Sequence, residues 1–128
     1  LYTKTRNYHW NVTGPHFHEL HKFFEAQYTD LDGKIDEVAE FIRSLGERSP
    51  GSLSEFLKAA RLNEASTAEN ANGMIEDLLA DHQAVIRQLR GDIEKAADEY
   101  NAADVADFLT GLAEDHQKMA WMLRAMLA

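Results

Sequence analysis

Apolar residues recur every three or four positions along most of the chain, which is the spacing of one face of an α-helix. The longest such run lies between residues 15 and 45, and its members are Phe17, Leu20, Phe24, Tyr28, Leu31, Ile35, Val38, Ile42 and Leu45. Pro15 before the run suits a first helical turn, and Gly46 after it suits a helix end. The pattern therefore predicts one helix over residues 15–45, about 45 Å long.

The same spacing predicts three further main helices, over residues 1–12, from residue 66 to residue 100, and from residue 103 onwards. Ser66 and Glu69 form a capping-box pattern at the start of the second of these. Ser52 and Glu55 form another, which predicts a short helix in the connection that precedes it. Because no strand pattern occurs, we expect an all-α, ferritin-like four-helix bundle. The long crossover between its second and third helices would contain the short extra helix.

Composition narrows the function classes. The chain has 128 residues, the size of one domain, which we place over residues 1–128, and it has no cysteine. Disulfide frameworks, thiolate zinc sites and thiol catalysis are therefore excluded. The formal net charge of -9 argues against nucleic acid bound by the surface as a whole and favours attraction of cations. No apolar run approaches the roughly 20 residues that a membrane span needs, so we expect a cytoplasmic protein.

Four side chains that can bind metals accompany the apolar stripe of the long helix: His21, Glu25, Asp36 and Glu40. An α-helix rotates by about 100° per residue, so these four side chains fall within an arc of about 100° on one side of the helix. They nevertheless form two separate pairs, because His21 and Asp36 lie about 22 Å apart along the helix axis. One metal site within a single chain cannot include both pairs.

The two pairs are symmetric in sequence about a midpoint between Asp30 and Leu31. If two copies of the helix pack antiparallel across a two-fold axis at this midpoint, the first pair of one copy faces the second pair of the other. Two identical sites result, each with two to three carboxylates and at least one imidazole. Gly33 would then lie near the axis, opposite Tyr28 of the second copy, and close helix approach is one reason to tolerate a glycine there.

Oxygen-rich ligation with few imidazoles suits iron, manganese or zinc, of which iron is the redox-active choice. Two other interpretations stay open. A solvated acidic face beside an ordinary bundle seam would show the same stripe. A di-iron site within one chain would need Glu-x-x-His motifs. None of the six histidines has Asp or Glu three residues before it, which counts against this second alternative.

Three short motifs carry a resemblance to a known family: His9-Trp10-Asn11, His21-x-x-x-Glu25 and Asp36-x-x-x-Glu40. In this combination, and with the second histidine twelve positions after the first, the chain resembles the Dps proteins, or mini-ferritins, named as DNA-binding proteins from starved cells. The resemblance covers essentially the whole chain. Glu25 stands where the family usually has the shorter Asp, and this departure concerns the geometry of the metal site.

The resemblance implies a hollow homododecamer of ferritin-like subunits, with iron sites between subunits related by a two-fold axis. His9, His21 and Glu25 would come from one subunit, and Asp36 and Glu40 from the other. The implied activity is that of a ferroxidase, in which Fe(II) is oxidised to Fe(III), preferentially with hydrogen peroxide. Ferric mineral would be stored in the cavity, and DNA would be protected from oxidative damage. Zinc and other divalent metals can also occupy such sites.

Four further residues are weaker candidates. The resemblance gives Trp10 a role in intercepting stray oxidising equivalents, and simple packing is its alternative. His16 and His18 are either auxiliary ligands or surface polar residues. The resemblance also makes Asp107 a candidate for a three-fold pore lined by carboxylates, with a charge near a helix start as the alternative.

The motifs Asp81-His82 and Glu114-Asp115-His116 lie on the later helices without matching partners. We expect them to be solvated, or to line an acidic inner wall where mineral nucleates. A DNA-compacting nucleoid protein with secondary iron chemistry is the alternative function. DNA binding in the family commonly relies on basic tails. We expect any such tails, and the start of the first helix, to lie outside this sequence.

Overall fold

Helices dominate the parts of the chain that the computed structural model describes, residues 1–65 and 70–128. They are α1 (Tyr2–Asn11), α2 (Phe17–Ser44), α3 (Leu53–Ala59), α4 (Ala71–Glu94) and α5 (Ala103–Met126), and a π-helical segment, Lys95–Glu99, extends α4. No strand occurs in these two ranges. The prediction of four main helices, with a short helix between the second and the third, is confirmed.

The long helix α2 begins at Phe17, two residues later than the predicted start at Pro15. Gly14 has a φ of 114°, which residues with a side chain rarely adopt. The chain turns here, and the Phe17 N–H donates to the Gly14 carbonyl at 3.1 Å. This turn brings the start of α2 back against the end of α1.

The short helix α3 begins with the capping box that the sequence predicts. The Glu55 N–H donates to the Ser52 hydroxyl at 3.3 Å, and the Ser52 N–H donates to the Glu55 carboxylate at 3.0 Å. The Arg48 guanidinium donates to the same carboxylate at 2.7 Å. This guanidinium, together with the backbone donors, lowers the pKa of Glu55 to about 2.

The other predicted capping box, Ser66 with Glu69, lies outside the described residues. The helix α4 begins at Ala71, and Asn70 caps it. The Asn70 side chain accepts from the Gly73 N–H at 2.9 Å, which satisfies one of the free donors of the first turn.

The helices belong to two compact units, one with α1, α2 and α3 and the other with α4 and α5. In the first, α1 and α2 pack as a hairpin around the fully buried rings of Tyr8 and Phe24, whose centroids are 6.4 Å apart. In the second, α4 and α5 form another hairpin, with Leu78 and Leu123 fully buried. The assignment of residues 1–128 to one domain stays a prediction. Within the described part of either unit, no helix is long and apolar enough to cross a membrane.

Candidate metal site

Two histidines meet where the end of α1 packs against the start of α2. His9 lies in the last turn of α1 and His21 in the second turn of α2, and their rings stack with centroids 3.8 Å apart. Two hydrogen bonds connect them reciprocally. His9 Nδ1 donates to the His21 carbonyl at 2.7 Å, and His21 Nδ1 donates to the His9 carbonyl at 2.8 Å. Each histidine therefore orients the ring of the other.

These bonds determine the tautomer of both rings. A carbonyl oxygen can only accept, so each Nδ1 carries the proton and each neutral ring keeps its lone pair on Nε2. Histidines that bind metals commonly have this arrangement, because a carbonyl that accepts from one nitrogen fixes the ring and increases the basicity of the other. His9 is buried and His21 is half-buried. The pair can therefore bind a cation through its Nε2 atoms.

The three predicted carboxylates, Glu25, Asp36 and Glu40, lie on α2 and are exposed in the single chain. Glu25 is about one turn beyond His21, whereas Asp36 and Glu40 are about four and five turns beyond it. Among residues 1–65 and 70–128, no three His, Asp or Glu side chains come close enough together to hold a metal ion. One chain therefore brings the two imidazoles together and leaves Asp36 and Glu40 apart from them.

Part of the surface of α2 is apolar. Phe17 is 44% exposed and Ile35 is 47% exposed, although large apolar side chains are usually buried. Gly33 is exposed in the middle of the helix, and a Cβ added there would meet no neighbouring atom within 4 Å. No contact with the described residues requires this glycine, although it costs about 1 kcal/mol relative to alanine.

A cluster formed by Tyr2, Arg6, Trp10 and Tyr28 adjoins the histidine pair. The guanidinium of Arg6 lies 5.0 Å from the ring centre of Tyr28 and 5.4 Å from that of Trp10. It lies 5.8 Å from the ring centre of Tyr2. The Tyr28 ring in turn makes an edge contact with His9, with centroids 5.2 Å apart. Trp10, the predicted interceptor of oxidising equivalents, is 64% exposed, and its predicted role stays a prediction.

The sequence pattern did not single out Tyr2 or Arg6, and it predicted Tyr28 only in the apolar stripe and opposite Gly33 of a second copy. A signal was present, because Tyr2, Arg6 and Trp10 follow one another at intervals of four residues and so lie on one face of α1. What periodicity could not supply is the position of Tyr28 against that face.

Three weaker candidates are exposed. His16 lies in the turn before α2, His18 in its first turn and Asp107 near the start of α5. The predicted roles of the two histidines as auxiliary ligands, and of Asp107 in a pore, stay predictions.

The prediction that the two later motifs are solvated is wrong for Asp81, His82 and His116, which are buried, whereas Glu114 is exposed. His82 on α4 is fully buried, His116 on α5 is 8% exposed, and their Nδ1 atoms share a hydrogen bond of 2.9 Å. Burial, reinforced by the nearby His116 ring, lowers the pKa of His82 to about 3 and keeps this ring neutral. His82 lies four residues after Leu78 and four before Ile86, both of which are buried, so it occupies the apolar stripe of α4.

The chain is similar to known proteins along its whole length. The sequence profile of the ferritin family, described as a ferritin-like domain, matches residues 1–128. An uncharacterized low temperature-induced protein of Nostoc sp. is 44% identical over 128 residues, which cover 99% of this chain and 72% of that protein. DNA protection during starvation protein 2 of Bacillus anthracis is 38% identical over 129 residues, which cover 99% of this chain and 86% of that protein.

The similarity extends to the fold. A crystal structure of a Dps protein from Vibrio cholerae O1, described as a member of a broad superfamily of ferritin-like diiron-carboxylate proteins, matches with a TM-score of 0.92. The match has 36% identity and covers 99% of this chain and 79% of that one. The ferritin-like helical fold predicted from the sequence is thereby confirmed. This chain belongs to the Dps family of ferritin-like proteins.

Proposed function

We propose that this protein is a ferroxidase and an iron store. It oxidises Fe(II), preferentially with hydrogen peroxide, at sites shared between two copies of the chain, and it keeps the ferric product inside a hollow dodecamer. The observation that carries the proposal is the reciprocal bonding of His9 and His21, which leaves both Nε2 lone pairs for a cation. Membership of the Dps family supports it, and the Vibrio cholerae relative is described as a diiron-carboxylate protein.

The shared site follows from the spacing of ligands on α2. Asp36 lies about 22 Å along the helix from His21, so a second, antiparallel copy is needed to bring Asp36 and Glu40 to the histidine pair. The exposed side chains of Phe17 and Ile35 support contact with another chain, because such a contact would remove them from water. Gly33 supports a close approach near the proposed axis.

Iron is the substrate in this reaction. Two Fe(II) ions each give one electron to hydrogen peroxide, and with two protons the products are two Fe(III) ions and two water molecules. The carboxylates of Glu25, Asp36 and Glu40 would stabilise the added positive charge, and a sparse set of ligands leaves positions open for peroxide. Zinc suits the same ligands without being oxidised, so it should inhibit. Because both reactants of hydroxyl-radical formation are consumed, DNA is protected.

The first test is kinetic. Anaerobic protein is mixed with Fe(II) and then with peroxide, and ferric absorbance is followed by stopped flow. The double variant Asp36→Ala with Glu40→Ala should slow oxidation to the uncatalysed rate. Its matched control is Glu19→Ala with Glu37→Ala, because these carboxylates are also exposed on α2 but lie away from the ligand stripe. If the Asp36→Ala with Glu40→Ala variant oxidised Fe(II) at the wild-type rate, the assignment of a ferroxidase site to these carboxylates would be wrong.

A mixing experiment tests whether the site is shared. One variant has His9 and His21 replaced, and the other has Asp36 and Glu40 replaced. The two variants are mixed, denatured and then refolded and reassembled together. In each mixed pair one site combines the intact halves, so random pairing should restore about a quarter of the sites although both parents are inactive. No recovery in verified mixed assemblies would mean that the two halves do not meet across an interface.

DNA compaction is the second candidate, and one surface favours it. Three arginines, Arg87, Arg90 and Arg124, line a groove on α4 and α5 whose other lining residues include Gln83 and Gln117. In a chain with a net charge of -9, this groove concentrates positive charge where DNA phosphates could bind. Relatives from Bacillus anthracis and Brevibacillus brevis are named DNA protection during starvation proteins.

Gel shifts across a salt series test this candidate. Changing the three groove arginines to alanine should weaken any DNA complex. The slope of the logarithm of the binding constant against the logarithm of salt concentration should become shallower by about one unit for each DNA phosphate that the variant no longer binds. The control removes the same charge outside the groove, at Arg43, Arg48 and Arg61. Equal DNA binding by the two triple variants would exclude the groove as the DNA-binding surface.

A further inference from the structure

A ten-residue pattern occurs twice in the unit formed by α4 and α5, once on each helix. Residues 81–90 read DHQAVIRQLR and residues 115–124 read DHQKMAWMLR, so five of the ten positions are identical. The histidines of the two runs are His82 and His116, the buried pair whose Nδ1 atoms share a hydrogen bond of 2.9 Å. Because equivalent residues of two antiparallel helices meet at this bond, an approximate two-fold axis passes through it.

The groove between α4 and α5 is built from the same pattern, and it is called the arginine groove below. Six of its lining residues occupy equivalent positions in the two runs, and Arg87 is the seventh: Gln83 and Gln117, Ile86 and Ala120, Arg90 and Arg124. The isoleucine and the alanine are buried and form an apolar floor, whereas the glutamines and arginines are exposed donors. The groove has a volume of about 420 Å³, which is within the range of small-molecule sites.

Positive charge in the arginine groove is not compensated by the described part of the chain. Among residues 1–65 and 70–128, no carboxylate lines the groove and no ion pair includes Arg87, Arg90 or Arg124. The formal net charge of the whole chain is nevertheless -9. Neighbouring cations repel one another, and an anion bound among them replaces this repulsion by attraction. The groove therefore favours an anionic ligand.

The three guanidinium groups are distributed along the groove rather than gathered at one point. Arg90 and Arg124 each lie eight residues beyond the histidine of their own run, on opposite sides of the approximate axis. Their Cα atoms are therefore about 24 Å apart along the helices. Helical side chains lean toward the N-terminus of their own helix, so on antiparallel helices these two arginines lean toward each other. Arg87 lies between Arg90 and the axis, and only an elongated anion can contact all three.

We propose that the arginine groove binds a short chain of phosphate groups, as in inorganic tripolyphosphate or in the triphosphate of a nucleotide. Such a chain carries negative charge along its whole length, which matches the distribution of the arginines. Each guanidinium can donate two parallel hydrogen bonds to one phosphate group. The side-chain amides of Gln83 and Gln117, near the axis, can donate to the middle of the chain. The inference goes beyond the iron chemistry and does not depend on it.

One unequal position of the pattern separates the two sources of a phosphate chain. Where the first run has Arg87, the second has Trp121, which is 59% exposed. Trp121 lies four residues after Gln117 and three before Arg124, so these side chains share one side of α5. An exposed indole beside the groove can stack on a nucleobase, whereas an inorganic chain has no ring to place there.

Isothermal titration calorimetry of the iron-free protein with sodium tripolyphosphate tests the groove. The unaltered protein should bind tripolyphosphate saturably, and orthophosphate at least about ten-fold more weakly, because one phosphate cannot reach all three arginines. Arg90→Gln with Arg124→Gln should weaken tripolyphosphate binding by about ten-fold or more. Arg43→Gln with Arg61→Gln removes the same charge at exposed positions outside the groove and should leave binding nearly unchanged.

A second double variant adds charge without changing size. Gln83→Glu with Gln117→Glu places two carboxylates in the middle of the groove and should abolish tripolyphosphate binding. Circular dichroism verifies that each variant is folded. Three results would overturn the proposal: no saturable binding by the unaltered protein, equal binding by the groove and control arginine variants, or orthophosphate binding as tight as that of tripolyphosphate.

Titration with adenosine triphosphate identifies the source of the phosphate chain. If a nucleotide is the ligand, it should bind several-fold more tightly than tripolyphosphate, and Trp121→Ala should remove this difference. Equal binding of the two, unaffected by Trp121→Ala, would identify an inorganic chain. Failure of the DNA candidate would be a separate result, because it would appear as absent gel shifts while tripolyphosphate still bound to the groove.

Discussion

Acidification should destabilise the α4–α5 hairpin through His82, because this side chain is fully buried and neutral in the folded chain. In the unfolded chain its pKa has the ordinary value of 6.5, whereas burial lowers the folded value to about 3. The unfolded chain therefore binds the proton first as the pH falls. The stability contributed by neutral His82 is complete above pH 6.5 and is lost progressively down to pH 3.

The size of the effect follows from the two pKa values. Each pH unit between them costs about 1.4 kcal/mol, so at about pH 5 His82 should lower the free energy of unfolding by about 2 kcal/mol relative to about pH 7.5. This figure depends mainly on the unfolded pKa, because the folded value lies well below pH 5. A loss of about 2 kcal/mol is a large share of the 5–15 kcal/mol that typically stabilises a domain.

Urea unfolding of the iron-free protein, followed by circular dichroism at both pH values and at one protein concentration, measures the effect. His82→Leu replaces the titrating ring by a side chain of similar size. The loss of unfolding free energy between about pH 7.5 and about pH 5, called the acid loss, should therefore shrink by about 2 kcal/mol. The broken hydrogen bond to His116 lowers stability at both pH values and largely cancels in the difference. His18→Gln removes an exposed histidine and should leave the acid loss unchanged. An equal acid loss in His82→Leu and the unaltered protein would refute the reasoning.

Two further predictions concern helix ends and helix contacts. Gly33→Ala should weaken dimer formation, measured by analytical ultracentrifugation, although the alanine stabilises the free helix by about 1 kcal/mol. Gly91→Ala, also at an open helical position, should leave association unchanged. Equal association of the two variants would argue against a close approach of helices at Gly33. Asn70→Ala should lower the free energy of unfolding by about 1 kcal/mol, because it removes the 2.9 Å cap bond to the Gly73 N–H. Thermal unfolding measures this loss, and Asn70→Asp, which keeps an acceptor, should retain most of the stability.

Much of the helical fold could be predicted from local patterns. The apolar stripe of α2 and the capping box at Ser52 each depend on residues within four positions of one another, and the structure contains both. The start of α2 was predicted two residues too early, because Pro15 is compatible with a first turn and the sequence alone does not reveal that Gly14 has a positive φ. The cap at Asn70 was also missed.

Less of the candidate site could be predicted in this way. The spacing of ligands on α2 and the family motif pointed to His9 and His21, and the structure brings these two rings into contact. The role of Asp36 and Glu40 stays a prediction, because it depends on a second copy of the chain. His82 was expected in solvent, although it shares the spacing of Leu78 and Ile86. Because histidine is polar, His82 was predicted to be exposed. The sequence does not reveal its hydrogen bond to His116, which allows this polar ring to be buried.

By itself the sequence determined where the main helices run and which side chains lie on one side of α2, because helical hydrogen bonds, caps and the angle per residue act over a few positions. The symmetry of the two ligand pairs about a midpoint between Asp30 and Leu31 is likewise a property of spacing, and the two-fold axis at this midpoint stays a prediction. Only the tertiary structure decided which nitrogens of His9 and His21 are bonded, that Tyr28 contacts His9, and that Arg6 lies among three aromatic rings. These features arise where α1 packs against α2. A side chain's tautomer, burial and partners depend on atoms contributed by residues distant in sequence, which a pattern along one helix does not contain.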